Sequence, residues 1–258
     1  MELSKQQIKF LRSLQQKKFR DESKLYVVEG IKMVNEAILA QPENIELLCY
    51  SQKSTEKILL DKMPAGVDQV LAKSDDMARI SSQKNPQEAV ALMKMPKAVT
   101  KGNSKKSELI FALDSIRDPG NMGTILRLAD WFGIMTILCS VDSVDCFNPK
   151  VVQASMGAIF RIEVAYVELL DYLTTLKNEG VTIYGLSLEG KNIYTCELKK
   201  PAVIILGNEA NGIRPEIYPS VDQRLLIPNY NEAHSTSESL NVAIAGAIAA
   251  AEFRRQLH

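Results

Sequence analysis

The pattern of apolar and polar positions changes character near residue 100. Before that point, short apolar runs at residues 25–28, 45–50, 67–71 and 88–95 read as strands. They alternate with stretches near 6–18, 31–40, 55–62 and 75–80, where apolar residues recur every three to four positions, the period of a helix with one buried face. This predicts a small α/β domain. Beyond it, runs rich in apolar residues at 109–113, 134–139, 160–165, 181–186, 202–206 and 223–227 read as buried strands, those at 109–113 and 202–206 with no polar residue at all. Helical patterns or turns separate most of them, which predicts a mainly parallel α/β sheet with helices on both sides. The last apolar stretch, 240–251, is small or apolar around the whole helical circumference and predicts a helix buried on all sides.

Between the two halves, Lys94, Lys97, Lys101, Lys105 and Lys106 stand with Pro96, Gly102, Asn103 and Ser104 and no acid, the composition of a solvated linker. The expected organisation is a first domain over 1–96, a basic linker over 97–107 and a second domain over 108–258. Composition agrees with two packed domains, since 46% hydrophobic and 24% charged residues exclude a disordered or fibrous chain. Net charge is zero, with 31 basic and 31 acidic side chains, yet residues 1–107 hold 19 basic against 13 acidic and the remainder 12 against 18. A basic module is therefore joined to an acidic one. At the start of the chain Lys5, Lys9, Arg12, Lys17, Lys18 and Arg20 face Glu2 alone, and the 5, 9, 12 spacing gathers three cations on one helix face. Such a face suits a phosphate backbone; a plain solvated helix is the alternative.

Four cysteines without a C-x-x-C pair and two histidines offer neither a zinc site nor a disulfide framework. The N-terminus has charges where a signal peptide needs an apolar run, and 240–251 is too short to span a bilayer. A cytoplasmic protein with no metal and no membrane partner is expected.

Three segments carry candidate chemistry. In the first, a strand ends at Asp114, Asp118-Pro119-Gly120-Asn121 makes a turn, and Met122, Ile125, Leu126, Ala129 and Phe132 form an apolar helix face. Arg127 lies off that face, beside Gly123 and Asp130, at the kind of strand-turn-helix junction that binds anions. In the second, an apolar strand ending at Leu206 runs into Gly207-Asn208-Glu209-Ala210-Asn211-Gly212, with turn residues and one acid. The third is Ile227-Pro228 followed, after a polar stretch, by Ser239-Leu240-Asn241-Val242 at the start of the last helix. Neither G-x-G-x-x-G nor a P-loop is present, so a nucleotide phosphate site is not indicated.

Taken in this order, the segments resemble the three motifs of the SpoU or TrmH family of RNA 2′-O-methyltransferases. Asn121, Gly123, Arg127 and Ala129 match its first motif, Gly207, Glu209, Gly212 and Ile213 its second, and Ser239 to Val242 its third; Ser155 and Gly157 match a further Ser-x-Gly segment. The segment from Lys24 to Val34 is similar to the family's ribosomal-protein-like substrate-binding extension. The resemblance implies a SPOUT methyltransferase fold whose C-terminal chain forms a trefoil knot, a homodimer built partly on the last helix, and S-adenosyl-L-methionine as cofactor. It also implies that Leu206, Gly207, Asn208, Ile227 and Leu240 hold that cofactor and that Arg127, Asn121, Glu209, Ser239 and Asn241 form the catalytic set. Lys5, Lys9, Arg12, Lys17, Lys18 and Ser155 are the expected RNA contacts, with ribosomal RNA favoured over tRNA.

A guanidinium is a poor base, so the expected work of Arg127 is to bind a phosphate and stabilise a developing alkoxide. Glu209 is expected to anchor the second-motif loop or Arg127. Residues 229–238, longer than in relatives, are expected to close as a flap, with His234 a bystander, and the second domain is expected to fold and bind cofactor without residues 1–107. Two other readings remain open at this stage: a non-catalytic RNA-binding or ribosome assembly factor with a retained pocket, and a small-molecule nucleotide-binding enzyme.

Overall fold

The computed structural model describes residues 3–96, 108–231 and 239–257. Chain contacts divide it into two compact units. The first contains the N-terminal residues up to the linker together with Asp145–Arg161, and the second contains the rest.

In the first unit, α1 (Lys5–Ser13) and α2 (Lys17–Ser23) precede β1 (Leu25–Glu29), α3 (Ile31–Ala40), β2 (Ile45–Tyr50), β3 (Asp68–Leu71), α4 (Ser74–Ile80) and β4 (Ala89–Lys94). The sheet order is β1-β4-β2-β3, with β4 antiparallel to both neighbours and β2 parallel to β3. Ile8, Leu11 and Leu14 bury one face of α1 in a cluster with Leu47, Val70, Met77, Ile80 and Leu92. Two helical expectations need correction. The single helix expected over 6–18 is broken after Ser13, because the buried Arg20 guanidinium takes the carbonyls of Leu14 and Gln15 at 2.7 and 2.9 Å and folds α2 back. Residues 55–62 form short 3-10 turns, Gln52–Lys57 and Leu60–Lys62, instead of an α-helix.

The second unit consists of β5 (Leu109–Leu113), α5 (Pro119–Trp131), β6 (Thr136–Ser140), β7 (Glu163–Val167), α7 (Leu169–Asn178), β8 (Thr182–Asn192), β9 (Ala202–Leu206), β10 (Gln223–Leu226) and α8 (Val242–Leu257); α6 (Pro149–Ser155) falls between β6 and β7 in sequence. Its sheet runs β10-β8-β9-β5-β6-β7 with every pairing parallel. The central β5, β6 and β9 are buried throughout, whereas the edge strands β7 and β10, expected to be buried, are only partly so because one side of each has no neighbouring strand. Parallel strands place all carboxyl ends on one edge, where the first and second motifs begin at Asp114 and Gly207.

Helices α5 and α8 pack side by side and run in the same direction. At their N-terminal ends Asn241 bonds Asn121 at 2.9 Å, and at the other end Arg254 donates to the carbonyls of Phe132 and Gly133 at 2.8 and 3.1 Å. Arg254 thus caps the negative end of α5. The expectation that α8 is buried on all sides is corrected within the single chain. Ala243, Gly246, Ala249, Ala250 and Phe253 are buried, whereas Ile244 is 52% exposed and Ala251 is also exposed.

The segment Asp145–Arg161 belongs by sequence to the second domain and by packing to the first unit. Arg20, 2% exposed, donates from Nη2 to Asp145 at 2.6 Å; Tyr26 meets the Phe147 ring at 4.6 Å; Gln41 donates to the Phe160 carbonyl at 2.8 Å; and Arg161 pairs with Glu36 at 2.8 Å. Among the described residues no helix is long and apolar enough to cross a membrane, and no group of three or more His, Cys, Asp or Glu could hold a metal ion.

Candidate active site

The site grows from the carboxyl edge of the parallel sheet. Asp118 caps α5, accepting from the Asn121 N–H at 2.8 Å, and Pro119 sits at the first helical position, where its missing N–H costs nothing. This fixes Asn121 in the first turn. On the neighbouring strand, Gly207 follows β9, and Asn208 and Gly212 exchange backbone bonds of 2.9 Å in both directions to close the second-motif loop. A side chain at Gly207 would put its Cβ 2.3 Å from the Gly212 and Ile213 backbone, so only glycine closes the turn. Asn208 organises the loop from inside. Its Oδ1 accepts from the N–H groups of Ala210 and Asn211, while its Nδ2 donates to the Ser115 carbonyl at 2.7 Å.

Glu209 connects the two motifs. One of its oxygens accepts from Asn121 Nδ2 at 3.0 Å and from the Asp118 N–H at 3.3 Å. Asn241 completes the connection to the third motif, donating from Nδ2 to Asn121 Oδ1 at 2.9 Å while its own Oδ1 accepts from the Ala243 and Ile244 N–H groups that open α8. Asn121, Glu209 and Asn241 therefore form one hydrogen-bonded line across three motifs. Ser239 and Leu240 precede it and are exposed. Arg127, on the same helix as Asn121, is exposed and bonded to no described side chain. Of the two partners expected for Glu209, the structure thus gives it the loop and the first motif, and not Arg127.

Sequence reading missed the support beneath this line. Asp114, fully buried, accepts from the Arg214 N–H at 2.8 Å and from its Nε at 2.6 Å, bolting the far end of the second-motif loop to the end of β5. Beside it, Ser115 donates to Asp142 at 2.6 Å. Partial burial would raise the Asp142 carboxyl, but the Ser115 and Ser140 hydroxyls and the Arg214 charge outweigh it and hold Asp142 at about 2. Asp114 and Arg214 lie 100 residues apart, so no periodicity could have paired them.

The residues expected to hold the cofactor fit an uncharged adenosine. Leu206 is buried at the end of β9, Ile227 follows the last residue of β10, and Leu240 is 51% exposed. Among the described residues Gly207 and Ile227 make no backbone hydrogen bond, which leaves peptide groups at the strand ends for a base or ribose. The Asn208 side chain is already spent, its Oδ1 within its own loop and its Nδ2 on the Ser115 carbonyl.

The expected RNA contacts divide. Lys5, Lys9 and Arg12 are exposed on α1, whereas Lys17 and Lys18 pair with Asp21 and Glu22 at 2.6 and 4.0 Å. Ser155 is corrected: it is fully buried in the first unit and its hydroxyl donates to the Val152 carbonyl at 2.7 Å, so it presents nothing to a ligand. The linker 97–107, His234 and most of the expected flap lie outside the described residues; its start is in view, with the Asn231 N–H donating to Asn229 at 2.9 Å.

Comparison with known proteins identifies the family. Residues 108–251 match the SpoU rRNA Methylase family, which places all three motifs inside the match. The chain belongs to that family. Residues 5–91 of this SpoU-family chain also match the MRM3-like substrate binding domain. It is 30% identical to the 23S rRNA (guanosine(2553)-2′-O)-methyltransferase RlmP of Bacillus subtilis over 94% of both chains. The structure of an AdoMet-bound rRNA methyltransferase from Sinorhizobium meliloti superposes with a TM-score of 0.88 at 31% identity, covering 100% of this chain and 98% of that one. A TrmH-family structure from Porphyromonas gingivalis gives 0.86 at 38% identity over 98% and 99%.

Proposed function

We propose that this SpoU-family protein transfers a methyl group from S-adenosyl-L-methionine to a ribose 2′-hydroxyl in structured RNA, with ribosomal RNA preferred to tRNA. The observation that carries the reading is the Asn121, Glu209 and Asn241 line, with an unengaged arginine on the same helix. A protein that only bound RNA would have no use for it. The names of the relatives, rRNA 2′-O-methyltransferases, support the ribosomal preference.

When bound, the cofactor supplies an electrophilic methyl group on a sulfonium, which leaves as a neutral thioether. The chain's own residues position the acceptor. Glu209 fixes the Asn121 amide, Asn241 fixes its oxygen, and Arg127 brings a permanent cation to the RNA phosphate and to the oxygen as it becomes an alkoxide. The hydroxyl proton passes to solvent. Gly207, Ile227 and Leu240 would hold the adenosine.

Three further features belong to this reading. The exposed apolar strip of α8 supports a homodimer through the last helix. The return of α8 onto α5 and β9, after β10 at the sheet edge, supports a trefoil-knotted C-terminus. A cytoplasmic location is part of the same proposal. The deciding experiment incubates purified protein with labelled S-adenosyl-L-methionine and ribosomal RNA, then digests the RNA and identifies the nucleosides by mass spectrometry. A 2′-O-methylated nucleoside is expected; label on a base, or none, would overturn the assignment.

A further inference from the structure

The first unit has a second polar surface, unrelated to the basic α1 that sequence reading singles out. It begins at the buried end of β1, where the Glu29 carboxylate accepts from the Ser81 hydroxyl at 2.5 Å and from the N–H and hydroxyl of Ser82 at 2.8 and 2.6 Å. These three bonds anchor the loop that follows α4, Ser82-Gln83-Lys84-Asn85-Pro86-Gln87, which contains no acid. A relay of amides then crosses the surface. Gln87 donates to Gln83 at 3.2 Å and to the Asn85 carbonyl at 3.1 Å, and Gln83 donates to Gln153 of α6 at 3.0 Å. At one end of the relay Gln87 lies against Gly30, whose Cβ position is 3.4 Å from the amide oxygen; at the other end Gln153 stands one helical turn from Lys150.

Three exposed lysines frame this relay: Lys32, just after Gly30, Lys84 in the loop, and Lys150. None of them forms an ion pair with a described residue, in contrast to Lys17 and Lys18. Two acids beside the relay are occupied, Glu29 by the serines and Glu36, one turn beyond Lys32, by Arg161 at 2.8 Å, which leaves Glu88, next to Gln87, against three lysines. Unpaired cations around neutral donors and acceptors, on a loop held by a buried carboxylate, match a ribose-phosphate backbone with accessible base edges.

We propose that this face, framed by Lys32, Lys84 and Lys150 and floored by the Gln87, Gln83 and Gln153 relay, is where the first unit docks structured RNA. The proposal rests on the methyltransferase reading, since the RNA it names is the substrate. It assigns a role to the segment Asp145–Arg161, because α6 supplies Gln153 and Lys150 to the docking surface.

The test measures binding of the full-length protein to ribosomal RNA purified from cells lacking the enzyme, as a function of salt. Replacing Lys32, Lys84 and Lys150 together by Ala should weaken binding about tenfold or more near 0.1 M salt and reduce the log-log salt slope by about two to three. Arginine at the same three positions should preserve both. Alanine at Lys53, Lys57 and Lys62, which removes equal charge elsewhere in the unit, should change the slope by less than about one. Calorimetry with S-adenosyl-L-methionine and the melting temperature of each variant verify folding. An unchanged slope in the Lys32, Lys84, Lys150 variant, or an equal loss in the Lys53, Lys57, Lys62 variant, would overturn the proposal. Failure of the wild type to methylate this RNA would overturn the proposed activity instead, so the two outcomes are separable.

Discussion

Asn241 donates its side-chain amide to the side-chain oxygen of Asn121 across 2.9 Å, and that bond sets the polarity of the site. The Asn241 oxygen is committed to the α8 N–H groups, so only its NH2 can face Asn121. Asn121 must then turn its own oxygen toward Asn241 and its NH2 toward Glu209, which as a carboxylate can only accept. Asn241→Asp should separate this polarity from helix stability. Aspartate caps a helix as well as asparagine does, so the melting temperature should hold. The Asn121 oxygen would nonetheless face an acceptor, and methyl transfer should fall by about 10- to 100-fold, the scale of a lost hydrogen bond to a charged network. An Asn241→Asp enzyme with normal turnover would show that the direction of the line is irrelevant to catalysis.

Arg127 stands outside that line. Because it is exposed and holds no described partner, Arg127→Ala should change stability by no more than about 0.5 kcal/mol. The effect should appear in the rate, with a loss of about 100-fold and S-adenosyl-L-methionine affinity within a few fold of wild type. Lysine should not restore the rate, since a point charge lacks the planar fork. Single-turnover kinetics and calorimetry on the same preparations would show whether the loss is confined to chemistry.

How much was legible in the sequence depended on whether the signal was local. The central strands β5, β6 and β9 announce themselves because burial along their whole length leaves no polar alternation, and Asn121, Glu209 and Asn241 stand in short motifs with turn and cap chemistry around them. What stayed hidden was set by pairings distant in sequence. Asp114 with Arg214, and Arg20 with Asp145, are separated by 100 and 125 residues and look like ordinary charges on their own. Helix α8 misled for a different reason: alanine and isoleucine on every face cannot distinguish a core from a surface waiting for a partner.

The sharing of Asp145–Arg161 between sequence domain and structural unit changes the expected result of truncation. Removing residues 1–107 would leave Asp145 without Arg20 and strip the cover from Phe147 and Phe160. The apolar side chains so uncovered return to water at a cost of about 25 cal/mol per Å², and in the full chain, where Asp145 stays only 12% exposed, loss of its Arg20 partner alone costs about 3–5 kcal/mol. The truncated chain should therefore melt well below the full-length protein and bind a hydrophobic dye, against the expectation of a cleanly separable second domain. Arg20→Ala in the full chain should reproduce most of that destabilisation, which a denaturant titration would quantify. A fragment as stable as the whole protein would mean that the segment repacks on its own.

Asp142 gives the stability a defined acid dependence. Its carboxyl is held at about 2 in the folded protein, against a value near 3.9 expected for the unfolded chain. A depressed carboxylate contributes stability above the unfolded value and loses it as the pH falls toward the folded one. Asp142→Asn should therefore lower the melting temperature at pH 6, and the gap from wild type should narrow as the pH drops from 4 toward 2. A gap independent of pH across that window would mean that the Ser115 and Arg214 contacts do not depend on the charge.

The exposed strip of α8 supplies the last test. Ile244 is 52% exposed in the single chain, and Ala251 continues the strip two turns further along the helix, while the opposite face holds Gly246 3.0 Å from the Leu206 side chain at its Cβ position. One face is thus packed to contact and the other is apolar and open, the arrangement of a helix that a second copy covers. Ile244→Glu adds a charge at the open face without touching the packed one. It should leave the far-ultraviolet spectrum unchanged and shift the sedimentation profile from dimer to monomer at micromolar concentration. Because Ile244 also gives its N–H to Asn241, loss of the partner copy should loosen the start of α8 and lower methyl transfer in step with the monomer fraction. A wild-type protein that sediments as a monomer, or an Ile244→Glu variant that remains a dimer, would remove this face from the assembly.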